Sequence, residues 1–470
     1  MMRRICLAVV IALILTSAAY AADETLEYGR FGKLTLYRNT PQPSQVVLFV
    51  SGDGGWNLGV IDMARSLAGL DALVVGIDIN HFLRELRHSS EKCSYPAADF
   101  ENLSKYVQKK LGFSHYHRPV LVGYSSGATL VYGLLAQAPP NTFRGAISLG
   151  FCPDLPLNKP FCDGQALKSK PDPANHGYDF LPTDKLENRW VAFQGTIDQV
   201  CSATDVETYV KQVNTGELVL LPKVGHGFSV QRNWLPQFRD AFTRLVREED
   251  AQSPASGVSA DISDLPLVEI PASEGVSDLF AVIISGDGGW ASIDREVGAT
   301  LAGKGVPVVG LNSLQYFWTP RNPDQTAQDL ERLLRHYLQA WRRPQVALIG
   351  YSFGAEVLPF LVERLPEDLR QRVAAVVLLG PGKTASFEFH LSDWLGGDAE
   401  GLPIAPELAK LQETKVFCFY GEKERDSLCR ELPPGNKLLK PVPLAGGHHF
   451  GGNHEQLAEQ IFAEIMAGSA

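Results

Sequence analysis

No basic block occurs anywhere in the 470-residue chain, where 43 Lys plus Arg face 53 Asp plus Glu for a net charge of −10. A nucleic-acid binder displaces counterions with a cationic surface, so no nucleic-acid partner is expected. Charged residues make up only 20% and hydrophobic residues 45%, a balance that excludes a disordered or collagen-like chain. Cysteine is scarce, seven in all, and no C-x-x-C pair marks a zinc site. The apolar run from Ile5 to Leu15 is shorter than the ~20 residues a membrane span needs.

That run carries a different message. Arg3 and Arg4 precede it and Ala19-Tyr20-Ala21 follows, the layout of a cleaved secretory signal peptide over residues 1–21. Its removal deletes two arginines and one cysteine, taking the net charge from −10 to −12 and leaving six cysteines. An even count in an exported chain favours disulfides. Sequence proximity pairs Cys152 with Cys162 and Cys418 with Cys429. A periplasmic protein is expected.

At 470 residues the chain exceeds the ~100–200 of a typical domain, and an internal repeat divides it. Ser51-Gly-Asp-Gly-Gly-Trp56 recurs as Ser285-Gly-Asp-Gly-Gly-Trp290, and Gly123-Tyr-Ser-Ser-Gly127 as Gly350-Tyr-Ser-Phe-Gly354. Offsets of 234 and 227 residues mean duplicated domains rather than a solenoid. The boundaries are read as 22–248 and 264–470, with the polar, turn-rich segment 249–263 as linker. Each unit alternates apolar, strand-length runs with helical patterns. In the first the strands are 46–50, 72–77, 119–122, 145–149, 190–194 and 217–221. In the second they are 280–284, 306–310, 345–349, 373–379 and 416–420. The fold class is α/β: two tandem α/β-hydrolase-like domains, each a mostly parallel sheet with helices on both faces.

G-x-S-x-G directly after a strand and before a helix is a nucleophile elbow, which selects Ser125 and Ser352. A glycine-rich packing turn would show the same letters without that context. In this fold a base and an acid follow in the order Ser, Asp, His. After the strand ending at Gly195 come Asp198 and Cys201, then His226. After the strand ending at Gly421 come Asp426 and Cys429, then His448 and His449. The shared D-x-x-C frame picks Asp198 and Asp426, with Glu424 a rival in the second unit. The phenylalanine after each histidine picks His226 and His448. The oxyanion donors are read as the N–H groups of Ser126 and Phe353, with those of Asp53 and Asp287 in the glycine loops. His448, His449 and His454 lack the helical spacing that aims two rings at one metal. Neither metal nor cofactor is called for.

Ser313-Leu-Gln-Tyr-Phe-Trp318, Gly350-Tyr-Ser-Phe-Gly-Ala355, Tyr420-Gly-Glu-Lys-Glu-Arg-Asp-Ser-Leu-Cys429 and Gly446-Gly-His-His-Phe450 together resemble the bacterial virulence protein family VirJ/AcvB. The whole mature chain resembles its two-domain form, and the second domain alone the shorter one. The resemblance implies a periplasmic α/β-hydrolase that cleaves aminoacyl-phosphatidylglycerol at the membrane surface, with the nucleophile on Ser352. Tyr316, Phe317 and Trp318 follow a strand end and are expected, with Tyr351, to contact the substrate. Core packing is the competing reading for the aromatic run. The first domain departs from the family pattern, with Asn80-His-Phe-Leu83 for the aromatic run and Gly227 for the second histidine. Two other functions fit the same residues: a hydrolase-derived scaffold for periplasmic protein partners, and an esterase or thioesterase of another substrate.

Overall fold

Strands with apolar residues at nearly every position must be covered on both faces, and each half of the chain folds to satisfy this. The structure, a computed structural model, describes residues 24–88, 91–164, 166–173, 177–252, 262–272, 277–389, 401–432 and 438–467. The expected signal peptide and most of the expected linker lie outside the described residues.

The first sheet contains β1 (Glu24–Tyr28), β2 (Gly32–Tyr37), β3 (Gln45–Val50), β4 (Ala72–Ile77), β5 (Val120–Tyr124), β6 (Gly145–Leu149), β7 (Arg189–Gly195) and β8 (Gly216–Leu221). Their order is β1-β2-β4-β3-β5-β6-β7-β8. β2 runs antiparallel to both its neighbours, β1 and β4, and β3 through β8 are parallel. The second sheet contains β9 (Leu267–Ile270), β10 (Leu279–Ile284), β11 (Val308–Leu311), β12 (Gln345–Tyr351), β13 (Val373–Leu379), β14 (Val416–Gly421) and β15 (Leu439–Leu444), in the order β9-β11-β10-β12-β13-β14-β15. Only β9 is antiparallel. These are two α/β-hydrolase folds.

Strand alternation sorts the core into two layers per half. On β3, Val46, Leu48 and Val50 pack beneath helices Pro96–Lys110 and Ser126–Gln137. Val47 and Phe49 point the other way, toward helices Leu58–Ala68 and Leu235–Gln252. On β10, Phe280, Val282 and Ile284 meet helices Pro323–Ala340 and Phe353–Glu363. Ala281 and Ile283 meet helices Ser292–Gly303 and His454–Ala467.

The sequence pattern found the edge strand β8 but left out the edges β1, β9 and β15. β1 is largely exposed, and β15 is half-buried with Pro441 and Pro443 in it. Proline is tolerated there because an edge strand has an unpaired side. The helix Leu235–Gln252 runs past the expected boundary at 248.

The disulfide reading needs one correction. Cys418 bonds Cys429 as expected, but Cys152 bonds Cys201 and Cys162 bonds Cys93. Ten residues of separation do not bring Cys152 to Cys162. The chain around Cys162 instead lies along Ser94, with Ser94 N–H donating to Pro160 O at 3.0 Å and Cys162 N–H to Ser94 O at 2.8 Å.

The halves meet through the end of helix Pro96–Lys110. Trp318 Nε1 donates to Phe113 O at 2.8 Å, and Lys109 Nζ donates to Trp318 O at 2.6 Å. The Trp318 ring stacks on Phe389 and lies against Tyr116. Arg295 and Glu187 add an ion pair at 2.7 Å.

Candidate active sites

Each G-x-S-x-G motif turns a central strand directly into a helix, β5 into Ser126–Gln137 and β12 into Phe353–Glu363. Ser125 and Ser352 stand at φ 55° and 50°, a region that L side chains rarely occupy outside strained functional turns. The flanking glycines explain how the turn closes. A Cβ at Gly123 would lie 2.1 Å from Gly127 O, and one at Gly354 would lie 2.0 Å from Ile284 O. Neither position has room for a side chain. The first N–H groups of each helix have no intrahelical acceptor and carry its positive end toward the serine.

In the first half, Ser125 Oγ is 2.9 Å from His226 Nε2, and His226 Nδ1 is 2.9 Å from Asp198 Oδ2. The Asp198 side chain has no exposed surface. It accepts hydrogen bonds from Gln194 Nε2 (3.0 Å), Val200 N–H (2.8 Å) and Cys201 N–H (3.1 Å). Burial alone would raise its pKa. The Cys201 N–H, His226 and the Val200 N–H outweigh burial and hold the carboxyl below its usual range. The Cys152–Cys201 disulfide ties this acid loop to the chain leaving β6.

In the second half, Ser352 Oγ is 2.9 Å from His448 Nε2, and His448 Nδ1 is 2.6 Å from Glu424 Oε1. The acid beside the imidazole is therefore Glu424, not Asp426. Asp426 is exposed, and its charge bears on Lys383 instead. The cysteine frame misleads because this loop has two more residues between acid and cysteine. Counting from the strand-end glycine finds both acids: Gly195 to Asp198 and Gly421 to Glu424 span the same turn, closed by N–H to O bonds of 3.3 and 2.9 Å. Glu424 also accepts from Gly421 N–H at 3.1 Å. Burial raises the Glu424 carboxyl, but His448 and that N–H bring it below its usual range. The hydrogen bond to Glu424 raises His448 above its ordinary 6.5 against burial, helped by the charges of Glu424, Asp287 and Glu356.

Sequence reasoning missed the glycines that admit the bases. Gly150 and Gly380, at φ 67° and 60°, follow β6 and β13. A Cβ at Gly380 would lie 2.9 Å from His448 Nδ1, and one at Gly150 would lie 3.2 Å from His226 Cε1. It also missed the purpose of Trp56 and Trp290. Their rings lie against Gly76 and Gly310, where a Cβ would approach to 2.2 and 2.1 Å. A lone glycine inside an apolar strand is the signal that could have found this.

The two glycine loops lie against the two serines. A Cβ at Gly52 would be 2.9 Å from Ser125 Cβ, and one at Gly286 would be 3.6 Å from Ser352 Cβ, so Asp53 and Asp287 follow immediately beside the two serines. The Ser126 hydroxyl donates to Asp53 Oδ1. Phe353 is buried with its ring 4.9 Å from that of Phe317.

The aromatic run does not form a substrate surface. Tyr316, Phe317 and Trp318 are 2%, 1% and 2% exposed. Tyr316 donates to Asp329, Phe317 backs Phe353, and Trp318 joins the two halves. The cation over Trp318 is Lys109 of the same chain, 5.0 Å from the ring centre. Tyr351 is also buried, with its hydroxyl 2.8 Å from His449 Nδ1. His454 pairs with Glu296 at 3.2 Å. Among the described residues, no group of three or more His, Cys, Asp or Glu could hold a metal.

Half-chain likenesses accompany this geometry. A lidless α/β serine hydrolase from Xanthomonas campestris is 21% identical, covering 48% of this chain and 94% of its own, with TM-score 0.31. Est1E from Butyrivibrio proteoclasticus is 12% identical over 49% of this chain and 99% of its own, with TM-score 0.33. An α/β serine hydrolase homologue from Coxiella burnetii is 17% identical over 48% and 97%, with TM-score 0.32. No curated protein matches the sequence. The family described as bacterial virulence protein (VirJ) matches residues 44–147 and 278–468. The match includes Ser352, Glu424 and His448 but stops before Asp198 and His226. Since it spans more than half of the sequence, the chain belongs to the VirJ family of bacterial virulence proteins.

Proposed function

We propose that the carboxy-terminal half is a serine ester hydrolase that cleaves the aminoacyl ester of aminoacyl-phosphatidylglycerol, lysyl or alanyl, in the periplasm. The observation that carries the reading is the unbroken chain from Ser352 Oγ through His448 to Glu424. His448 takes the serine proton as Oγ attacks the ester carbonyl, and Glu424 stabilises the imidazolium that forms. The N–H groups of Phe353 and Asp287 receive the oxyanion, each donor supplying about 3 kcal/mol of transition-state stabilisation. Phosphatidylglycerol leaves with the proton from His448. Water, deprotonated by the same imidazole, then frees the amino acid from Ser352.

The charge around the base supports a cationic acyl group. Glu424, Asp287 and Glu356 all bear on His448, and an aminoacyl ester presents its ammonium close to the reacting carbonyl. Three disulfides fit an oxidising compartment. No described helix is long and apolar enough to cross a membrane, so the lipid would be met at its headgroup surface.

Vesicles carrying lysyl- or alanyl-phosphatidylglycerol test the substrate. The purified chain is expected to release free amino acid and leave phosphatidylglycerol intact. Release of fatty acid, or no release, overturns the assignment. No release would favour a scaffold for periplasmic partners.

The base adds a pH prediction. His448 works neutral, and Glu424 raises its pKa. Activity should therefore rise with pH through an apparent pKa above 6.5 in kcat/KM. An acid limb centred well below 6.5 would contradict the coupling.

A further inference from the structure

The amino-terminal half keeps more than a relic of this arrangement. Its serine, histidine and aspartate are aligned at 2.9 and 2.9 Å. The Asp198 side chain has no exposed surface, and Gln194, Val200, Cys201 and His226 all direct hydrogen-bonding groups at it. Burying a carboxylate is costly unless such donors offset it. An inert loop residue gains nothing from a site that holds the charge so closely under an imidazole.

The cleft above Ser125 is open. A cavity of about 320 Å³ reaches the serine, lined by the Gly52–Gly55 loop, Asn57, Val60, Met63, Tyr124 and Gly227. Two differences from the second half shape it. Gly227 stands where His449 meets Tyr351, which removes an imidazole from the mouth. Ser126 stands where Phe353 packs against Phe317, and its hydroxyl faces Asp53 instead of an apolar wall.

We infer that Ser125, His226 and Asp198 form a second, independent serine hydrolase centre, built for water-soluble carboxylic esters with a short acyl chain. The volume corresponds to about ten water molecules, and a small acyl group set on Val60 and Met63 is enclosed within it. Ser125 Oγ bonds the acyl carbon as its proton passes to His226. The alcohol departs with that proton, and water then cleaves the acyl-serine to give the free acid. This centre does not depend on the substrate proposed for Ser352.

The test uses the full chain as Ser352→Ala, Ser125→Ala and the double variant. Each is treated with a fluorophosphonate probe and assayed with p-nitrophenyl acetate and p-nitrophenyl dodecanoate. Ser352→Ala should still bind about one probe per chain, mapped to the peptide bearing Ser125. It should hydrolyse the acetate at least 100-fold faster than the double variant, and at least tenfold faster than the dodecanoate. Labelling and acetate hydrolysis no higher than in the double variant would overturn the second centre, leaving the Ser352 reading intact. Equal rates on the two esters would overturn the short-acyl assignment.

Discussion

Glu424→Gln is expected to lower kcat by ~10³–10⁴, the scale seen when a triad acid is neutralised in place, whereas Asp426→Asn should stay within about threefold, as an exposed surface change does. The contrast follows from geometry. Glu424 Oε1 lies 2.6 Å from His448 Nδ1, and Asp426 is exposed near Lys383. An amide there presents no charge to the imidazolium and can hold the ring in the wrong tautomer. It also removes the largest influence raising His448, so the residual activity should show its acid limb at lower pH. Steady-state kinetics of the two variants across pH check this. A severe loss in Asp426→Asn with a mild one in Glu424→Gln would restore the cysteine-frame assignment.

The elbows were legible because their requirement is steric and local. Only glycine fits where a Cβ would lie about 2 Å from a carbonyl oxygen, as at Gly123 and Gly354, so the letters and the geometry coincide. The central strands were legible for a related reason: Val47 and Phe49 face one layer while Val46, Leu48 and Val50 face the other, which demands apolar residues throughout. The acids were less so. Asp198 and Glu424 are placed by the turn after Gly195 and Gly421, and the cysteines after them serve different anchors. Cys201 reaches Cys152 beyond β6, while Cys429 reaches Cys418 inside β14. A loop of different length then shifts the residue that the frame selects.

Trp318 shows what sequence could not carry. Three aromatics after a strand end read alike whether they face a substrate, a bilayer or another part of the chain. Phe113 O and Lys109, more than two hundred residues earlier, decide it. The edge strands fall in the same class. β1 buries little, and β15 contains prolines that argue against a strand until its neighbour is known.

Ser352→Ala carries the largest expected effect. Without Oγ there is no acyl-enzyme, and His448 and Glu424 are left with nothing to activate but water. Removing a serine nucleophile costs about 10⁵–10⁶ in kcat, because the triad works as a unit. The fold should be untouched, since Ser352 N–H still donates to Leu379 O and alanine tolerates φ 50° no worse than serine. Ser125, with its short-acyl cleft, should not replace the lost activity on a lipid-borne ester. The direct measurement is amino-acid release from lysyl- or alanyl-phosphatidylglycerol vesicles by Ser352→Ala beside the unmodified chain. The account predicts release at the background rate with Ser125 intact; release within tenfold of the unmodified chain would contradict it.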